Sequence, residues 1–273
     1  MKVVSVCNQK GGVGKTTTAI NLSAYLAIEH QHVLLIDSDP QSNSTSGVGV
    51  EPQSVNVGLY DLLMQVHDID SVITSTSVDN LWIIPSSVHL AGAEVELVSA
   101  DDREYRLRKI VEKVSGNFDY IIIDCPPSLG LLTVNALAAA DGVLVPMQCE
   151  YYALEGVSHL VDTIKLVKER LNSKMELLGV LMTMADMRTN LTNQVIQEAR
   201  SFFKEKVFDT VIPRSIRLSE APSFGKPIAM YDASSVGAQK YRELALEFMA
   251  RVNPGQRERV AAGGMSGAAE SVG

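Results

Sequence analysis

The feature that most constrains the fold is the run KVVSVCNQKGGVGKTT at residues 2–17. Its first half is β-branched and apolar (Val3, Val4, Val6), which reads as a buried strand, and the glycines at 11, 12 and 14 then break it. Sequence of helical character follows from Lys15. A strand turning sharply into a helix opens a sheet of parallel strands covered by helices, and the rest of the chain keeps that rhythm. Strands are predicted at residues 2–8, 32–37, 81–85, 120–124, 142–146, 177–183 and 210–213, with helical segments between them. One of these carries Leu154, Val157, Val161, Ile164, Val167 and Leu171, spaced by threes and fours, which is one apolar helix stripe. The expected class is therefore α/β, a doubly wound, mostly parallel sheet with helices on both faces.

The chain has 273 residues, of which 46% are hydrophobic, enough for a sizeable core. A single domain over residues 1–252 is expected. The Gly/Ser-rich stretch 42–58 reads as a loop, and residues 253–273, ending GGMSGAAESVG, as a disordered tail. The strand beginning at Lys2 leaves no room for the charged, apolar and small-residue order of a signal peptide. Apolar runs are strand-sized, short of the roughly 20 residues that cross a bilayer. A cytoplasmic protein is expected. Cys7, Cys125 and Cys149 lie in or beside predicted strands without metal-ligand spacing and read as reduced, packed thiols. The histidines at 30, 32, 67, 89 and 159 stand beside no nucleophile at a signature spacing, so no role is assigned to them.

A strand, a glycine turn and a helix present backbone N–H groups and a positive helix end to one point, which is how phosphates are cradled. The segment fits G-x-x-x-x-G-K-[ST] except that Gln9 stands at the first glycine, and it carries a second lysine, Lys10, ahead of Lys15. The cradle would comprise Gly11, Gly12, Val13, Gly14, Lys15, Thr16 and Thr17. Lys15 would reach the β- and γ-phosphates of ATP, and the Thr16 hydroxyl would bind Mg²⁺. YIIID at 120–124 ends an apolar strand on Asp124, the form in which P-loop NTPases hold the water shell of Mg²⁺. In LLIDSDPQ at 34–41, Asp37 and Asp39 stand two apart and share a face if the extended backbone persists.

NQKGGVGKTT, LLIDSDPQ and YIIIDCPPSLGLLTVNAL resemble the deviant Walker A, Walker A′ and Walker B blocks of the ParA/Soj chromosome- and plasmid-partitioning ATPases. QCEYYALEG at 148–156 and IPRSIRLSEAPSFGKPI at 212–228 are similar to further blocks of that family, so the resemblance spans roughly residues 1 to 250. It implies a slow, Mg²⁺-dependent ATPase that closes into a homodimer on ATP, coats DNA without sequence preference on the nucleoid, and is reset when a ParB-like partner triggers hydrolysis. Lys10 would cross the dimer interface to the partner's phosphates, as an arginine finger does in trans. Asp39 matches the residue that orients or deprotonates the attacking water, Asp37 lies with Asp124 nearer the metal, and Pro213 matches an adenine contact. No membrane partner is implied.

Arg188 in MADMRTNLT and Arg217 in PRSIRLSEAP match positions that Soj-like proteins use for DNA, with Arg214, Lys204 and Lys206 as weaker candidates. Net charge is −8, but between residues 185 and 243 nine Lys/Arg stand against seven Asp/Glu, which permits a local basic face. Relatives commonly show YDPRSRGAE where this chain has YDASSVGAQ at 231–239, so two arginines are missing. A MinD-like membrane-bound regulator shares the loop but needs a basic amphipathic C-terminal helix, and only Arg257 and Arg259 lie near the tail. Iron–sulfur relatives need paired interfacial cysteines, a pattern that Cys125 and Cys149 lack. Tyrosine kinases of the superfamily carry a tyrosine-rich tail, and the last tyrosine here is Tyr241.

Overall fold

The computed structural model describes residues 1–150 and 153–253, without the side chains of residues 153–156, 158 and 159. Eight strands form one sheet: β1 (Lys2–Val6), β2 (Val33–Asp37), β3 (Thr74–Ser75), β4 (Leu81–Ile84), β5 (Tyr120–Asp124), β6 (Gly142–Gln148), β7 (Glu176–Ala185) and β8 (Val207–Pro213). Their order is β3-β4-β2-β5-β1-β6-β7-β8. All neighbours run parallel except β3, which is antiparallel to β4.

Central strands are apolar at nearly every position because both of their faces are covered. Successive side chains alternate between two cores. Leu34, Ile36, Ile121 and Ile123 join one, with the helices Arg106–Lys113, Leu131–Ala139, Ala153–Arg170 and Asn190–Phe203. Val4, Val6, Leu35 and Ile122 join the other, with Lys15–Ile28 and Val236–Val252. The helix leaving β1 lies on one face and the helix leaving β5 on the other, although β1 and β5 are neighbours. A crevice therefore opens at their carboxyl ends, the place where doubly wound sheets bind ligands.

All seven predicted strands form, with three extensions. Strand β6 continues past Pro146, contrary to the predicted end there. The reason is that β6 pairs with β1 only as far as Leu144, so Pro146 sits where that side of β6 is already free and its missing N–H costs no ladder bond. Strand β7 begins one residue earlier and ends two later than predicted, and β8 begins three earlier. The two-residue β3 carries no sequence signal and was not predicted. The stretch read as a loop at 42–58 holds a short helix, Asn43–Gly47, and a turn of 3-10 helix, Pro52–Ser54. Two of its polar residues, Ser44 and Thr45, are buried against carboxylates described below. In the predicted apolar stripe, Val157, Ile164 and Val167 are buried, while the side chain of Leu154 lies outside the described residues, as does the tail from 254. All three cysteines are free and buried.

Strand β8 contains a bulge: between Val180↔Val207 and Met182↔Val211 the register slips. The N–H groups of Asp209 and Thr210, freed by the slip, donate to the two carboxylate oxygens of Glu247 at 2.8 and 2.9 Å. Arg251 pairs with Glu247 at 2.7 Å and lies 4.2 Å over the Phe208 ring. Burial pushes the Glu247 carboxyl up, but these hydrogen bonds and the Arg251 charge outweigh it and leave the group below its ordinary value. A depressed carboxyl stabilises the fold above its unfolded pKa and loses that contribution as pH falls through the folded one. Glu247→Ala is expected to cost about 1–3 kcal/mol at neutral pH, the range for leaving a buried donor such as the Thr210 N–H without its partner, and less below about pH 4. Urea unfolding at the two pH values measures this; an equal loss at both would remove the electrostatic part of the account.

Candidate nucleotide site

The glycine turn between β1 and the helix Lys15–Ile28 lies at the mouth of the crevice. Gly14 caps that helix at φ +90°, and Gly12 stands at φ +73°, conformations a side chain would strain. No atom lies within 4 Å of where a Cβ would sit on Gly11 or Gly12, so the turn faces open space. The helix start has no side-chain cap, leaving its first N–H groups directed outward. The loop is tied down from behind. Asn8 donates to the Pro146 carbonyl at 2.7 Å and accepts from the Lys10 N–H at 3.1 Å, and Thr183 of β7 donates to the Val13 carbonyl at 2.8 Å.

The two lysines occupy different environments. Lys15 is 6% exposed, and its ammonium donates to the Lys10 carbonyl at 3.1 Å. Burial lowers its pKa, while the charges of Asp124 and Asp39 pull it back up. Lys10 is half exposed, and its Nζ lies 2.7 Å from Glu150 Oε2. Glu150 is held in turn by Gln148 at 2.5 Å.

Asp37 and Asp124 face each other in register at the ends of β2 and β5. Asp37 accepts from the N–H of Asp39 at 3.2 Å and from both the N–H and the hydroxyl of Thr45, at 2.8 and 2.7 Å. Asp124 accepts from the Ser44 hydroxyl at 2.8 Å through one oxygen, and the other is buried without a partner. Burial raises both carboxyls; the charge of Asp37 raises Asp124 further, and that of Asp39 raises both. The Thr16 hydroxyl lies close enough to Asp124 to lower it again in part. A buried, unpartnered carboxylate oxygen beside Thr16 suits a hard cation. Among the described residues no three His, Cys, Asp or Glu side chains are grouped to hold a metal unaided. Mg²⁺ is usually held by one or two carboxylates together with substrate phosphates, so the residues present fit it.

Asp39 comes to the site by a route the spacing did not predict. Strand β2 stops at Asp37, and the chain turns there because Asp37 accepts the Asp39 N–H. The shared face expected from extended geometry is therefore replaced by a turn. Asp39 is 7% exposed, accepts from the Gln41 N–H at 2.9 Å, and its carbonyl accepts from Ser86 at 2.7 Å. Ser44, Thr45, Ser86, Thr183 and Glu150 were all missed by sequence reasoning. Only the SNSTS run at 42–46, polar directly after a strand-end aspartate, offered a signal.

A cleft of about 390 Å³ adjoins the loop, lined by Gly14, Thr17, Thr183, Pro213, Leu218 and Tyr241 among others. That volume suits a small-molecule pocket. Pro213 ends β8 and lines this cleft. Tyr241 and Thr18 share a hydrogen bond of 3.2 Å, and Asn21 joins the Thr17 carbonyl to the Ile228 N–H at 2.8 and 2.7 Å, pinning the cleft wall to the loop helix. Arg188, Arg214 and Arg217 follow the carboxyl ends of β7 and β8 on the same rim, and all three are exposed. Lys204 and Lys206 precede β8 and lie at the opposite rim, roughly 20 Å away at the rise of a strand, so they do not join that group.

Residues 1–177 match the family model described as an AAA domain. The chain is 55% identical to the sporulation initiation inhibitor protein Soj of Bacillus subtilis, over 91% of this chain and 98% of that one. It is 51% identical to the chromosome partitioning protein ParA of Myxococcus xanthus, over 95% and 92% respectively. Among solved structures, cobyrinic acid a,c-diamide synthase from Mycobacterium smegmatis with bound ADP and magnesium is similar, with TM-score 0.82, 36% identity and coverage of 92% and 95%.

Proposed function

Because the chain belongs to the Soj/ParA family of chromosome-partitioning ATPases, we propose that it is an ATP-driven dimer switch that binds DNA without sequence preference and is reset by a ParB-like partner. The observation that carries this reading is the separation of the two lysines, one buried beneath the phosphate loop and one turned outward. Gly11, Gly12, Val13, Gly14, Thr16 and Thr17 cradle the phosphates of ATP, Lys15 neutralises them from inside, and Pro213 bounds the base. Thr16, Asp37 and Asp124 would hold Mg²⁺, which would neutralise phosphate charge. Asp39 orients or deprotonates the attacking water. Lys10 leaves Glu150 and reaches the partner's nucleotide, so the subunits close only around ATP. Residues 1–252 act as a single domain in this scheme, with a cytoplasmic, nucleoid-associated location. No helix among the described residues is long and apolar enough to cross a membrane.

The test is the ATPase rate of the full chain alone, with random duplex DNA, with a ParB-like protein, and with both. A slow basal rate that rises markedly only when the partner is added is expected; a rate indifferent to partner and DNA would remove the switch. The DNA surface has its own test. Arg217→Ala or Arg188→Ala should weaken ATP-dependent binding to all sequences alike and lower the log–log salt slope by about 1–2 units, one phosphate contact per subunit being lost. Unchanged affinity and slope in both variants would refute the patch.

A further inference from the structure

Two of the three rim arginines are already engaged with carboxylates of their own chain. Arg188 grips Asp186 in a fork, with Nε and Nη2 at 2.8 and 2.7 Å, although its own side chain is 89% exposed. Arg217 reaches Glu220 at 3.1 Å and Asp232 at 3.4 Å. Arg214 makes no ion pair among the described residues, though its charge is felt at Asp186. The rim therefore holds Arg188, Arg214 and Arg217 against Asp186, Glu220 and Asp232, and is close to neutral as it stands.

Resting on the DNA-binding reading above, we propose that Asp186 and Glu220 are built-in competitors of DNA, Asp186 filling the guanidinium fork of Arg188 and Glu220 taking one Nη of Arg217, and that they set how many phosphates must be engaged before binding holds. The physical reason is geometric. A carboxylate and a phosphate ask for the same pair of parallel N–H groups, and one guanidinium edge cannot serve both. When phosphate wins, the released carboxylate stands near the polyanion and takes up a cation from solution. That uptake offsets part of the counterion release which drives binding, so the contact contributes less than its usual 0.9 or so to the salt slope. In the DNA-free chain the Arg188 hydrogen bonds hold the Asp186 carboxyl down at about 2, so the competitor is ionised when DNA arrives. One subunit thus presents little net charge, and two subunits acting together are needed to displace the carboxylates.

The experiment is a salt titration of random duplex DNA binding with ATP present, using Asp186→Asn, Arg188→Ala and the double variant. Asp186→Asn should bind DNA more tightly, by about 2- to 30-fold for two exposed pairs per dimer, with a steeper salt slope. In the Arg188→Ala background the same change should gain clearly less, because there is no fork left to free and only the relief of carboxylate–phosphate repulsion remains. An equal gain in both backgrounds would overturn the competitor role. Glu220→Gln with Arg217→Ala forms the second arm and should behave alike. Weaker or unchanged binding in both Asp186→Asn and Glu220→Gln, while the arginine variants still lose affinity, would overturn the competitor role and leave the DNA surface standing. Full binding by both arginine variants would instead remove the surface, and this proposal with it.

Discussion

Asp39→Ala is expected to lower turnover by about 10²–10⁴-fold, the usual contribution of a positioned general base, while ATP binding and ATP-dependent dimerisation persist. Asp39 lies beyond the end of β2, and its carboxylate accepts from the Gln41 N–H. Removing the carboxylate therefore leaves the phosphate cradle, Lys15 and Asp124 in place. It also removes one negative charge near Lys15, which should if anything favour a bound polyphosphate slightly. Nucleotide titration, light scattering with ATP, and single-turnover hydrolysis separate the three properties. Dimers that form on ATP and still turn over at the parent rate would sink the assignment of Asp39.

The second large effect divides the lysines. Lys15→Ala should lose ATP affinity by about 30-fold or more, since truncating one member of a desolvated charge pair costs about 2 kcal/mol at the least. Lys10→Ala should bind ATP nearly as well as the parent, because its side chain is half exposed and directed at Glu150 rather than into the cradle. It should fail to dimerise. The lost Lys10–Glu150 pair is a surface contact of small worth, so the fold should be little affected. Binding of ATP measured by fluorescence, with scattering for the oligomer, gives the two variants opposite signatures. Equal nucleotide binding and equal dimerisation in both would show that the outward lysine has no separate task.

Much of this was legible in the chain for a reason that can be located. Strands β1, β2 and β5 lie in the middle of the sheet with both faces covered, so KVVSV, VLLID and YIIID must be almost wholly apolar, and a run of that kind ending in aspartate stands out. Gly12 and Gly14 were equally plain because their positive φ admits little else. Elements with one exposed side were read less well. The bulge lets β8 begin at Val207, ahead of the exposed Asp209, and the short helix Asn43–Gly47 resembles a loop in composition because Ser44 and Thr45 serve Asp124 and Asp37 rather than solvent.

The sequence by itself therefore determined the parallel α/β class, the glycine turn, the helix start at Lys15 and the strand ends at Asp37 and Asp124, because each follows from local backbone sterics or from the burial of a central strand. Only the tertiary structure decided what those groups face. Glu150 meets Lys10 across 140 positions, Ser44 meets Asp124 across 80, and Asn21 meets Ile228 across 207. Parallel strands must be joined by long crossovers, so residues gathered at their carboxyl ends are necessarily distant in the chain. Local pattern says which side chains arrive at that rim; the crossovers determine their partners.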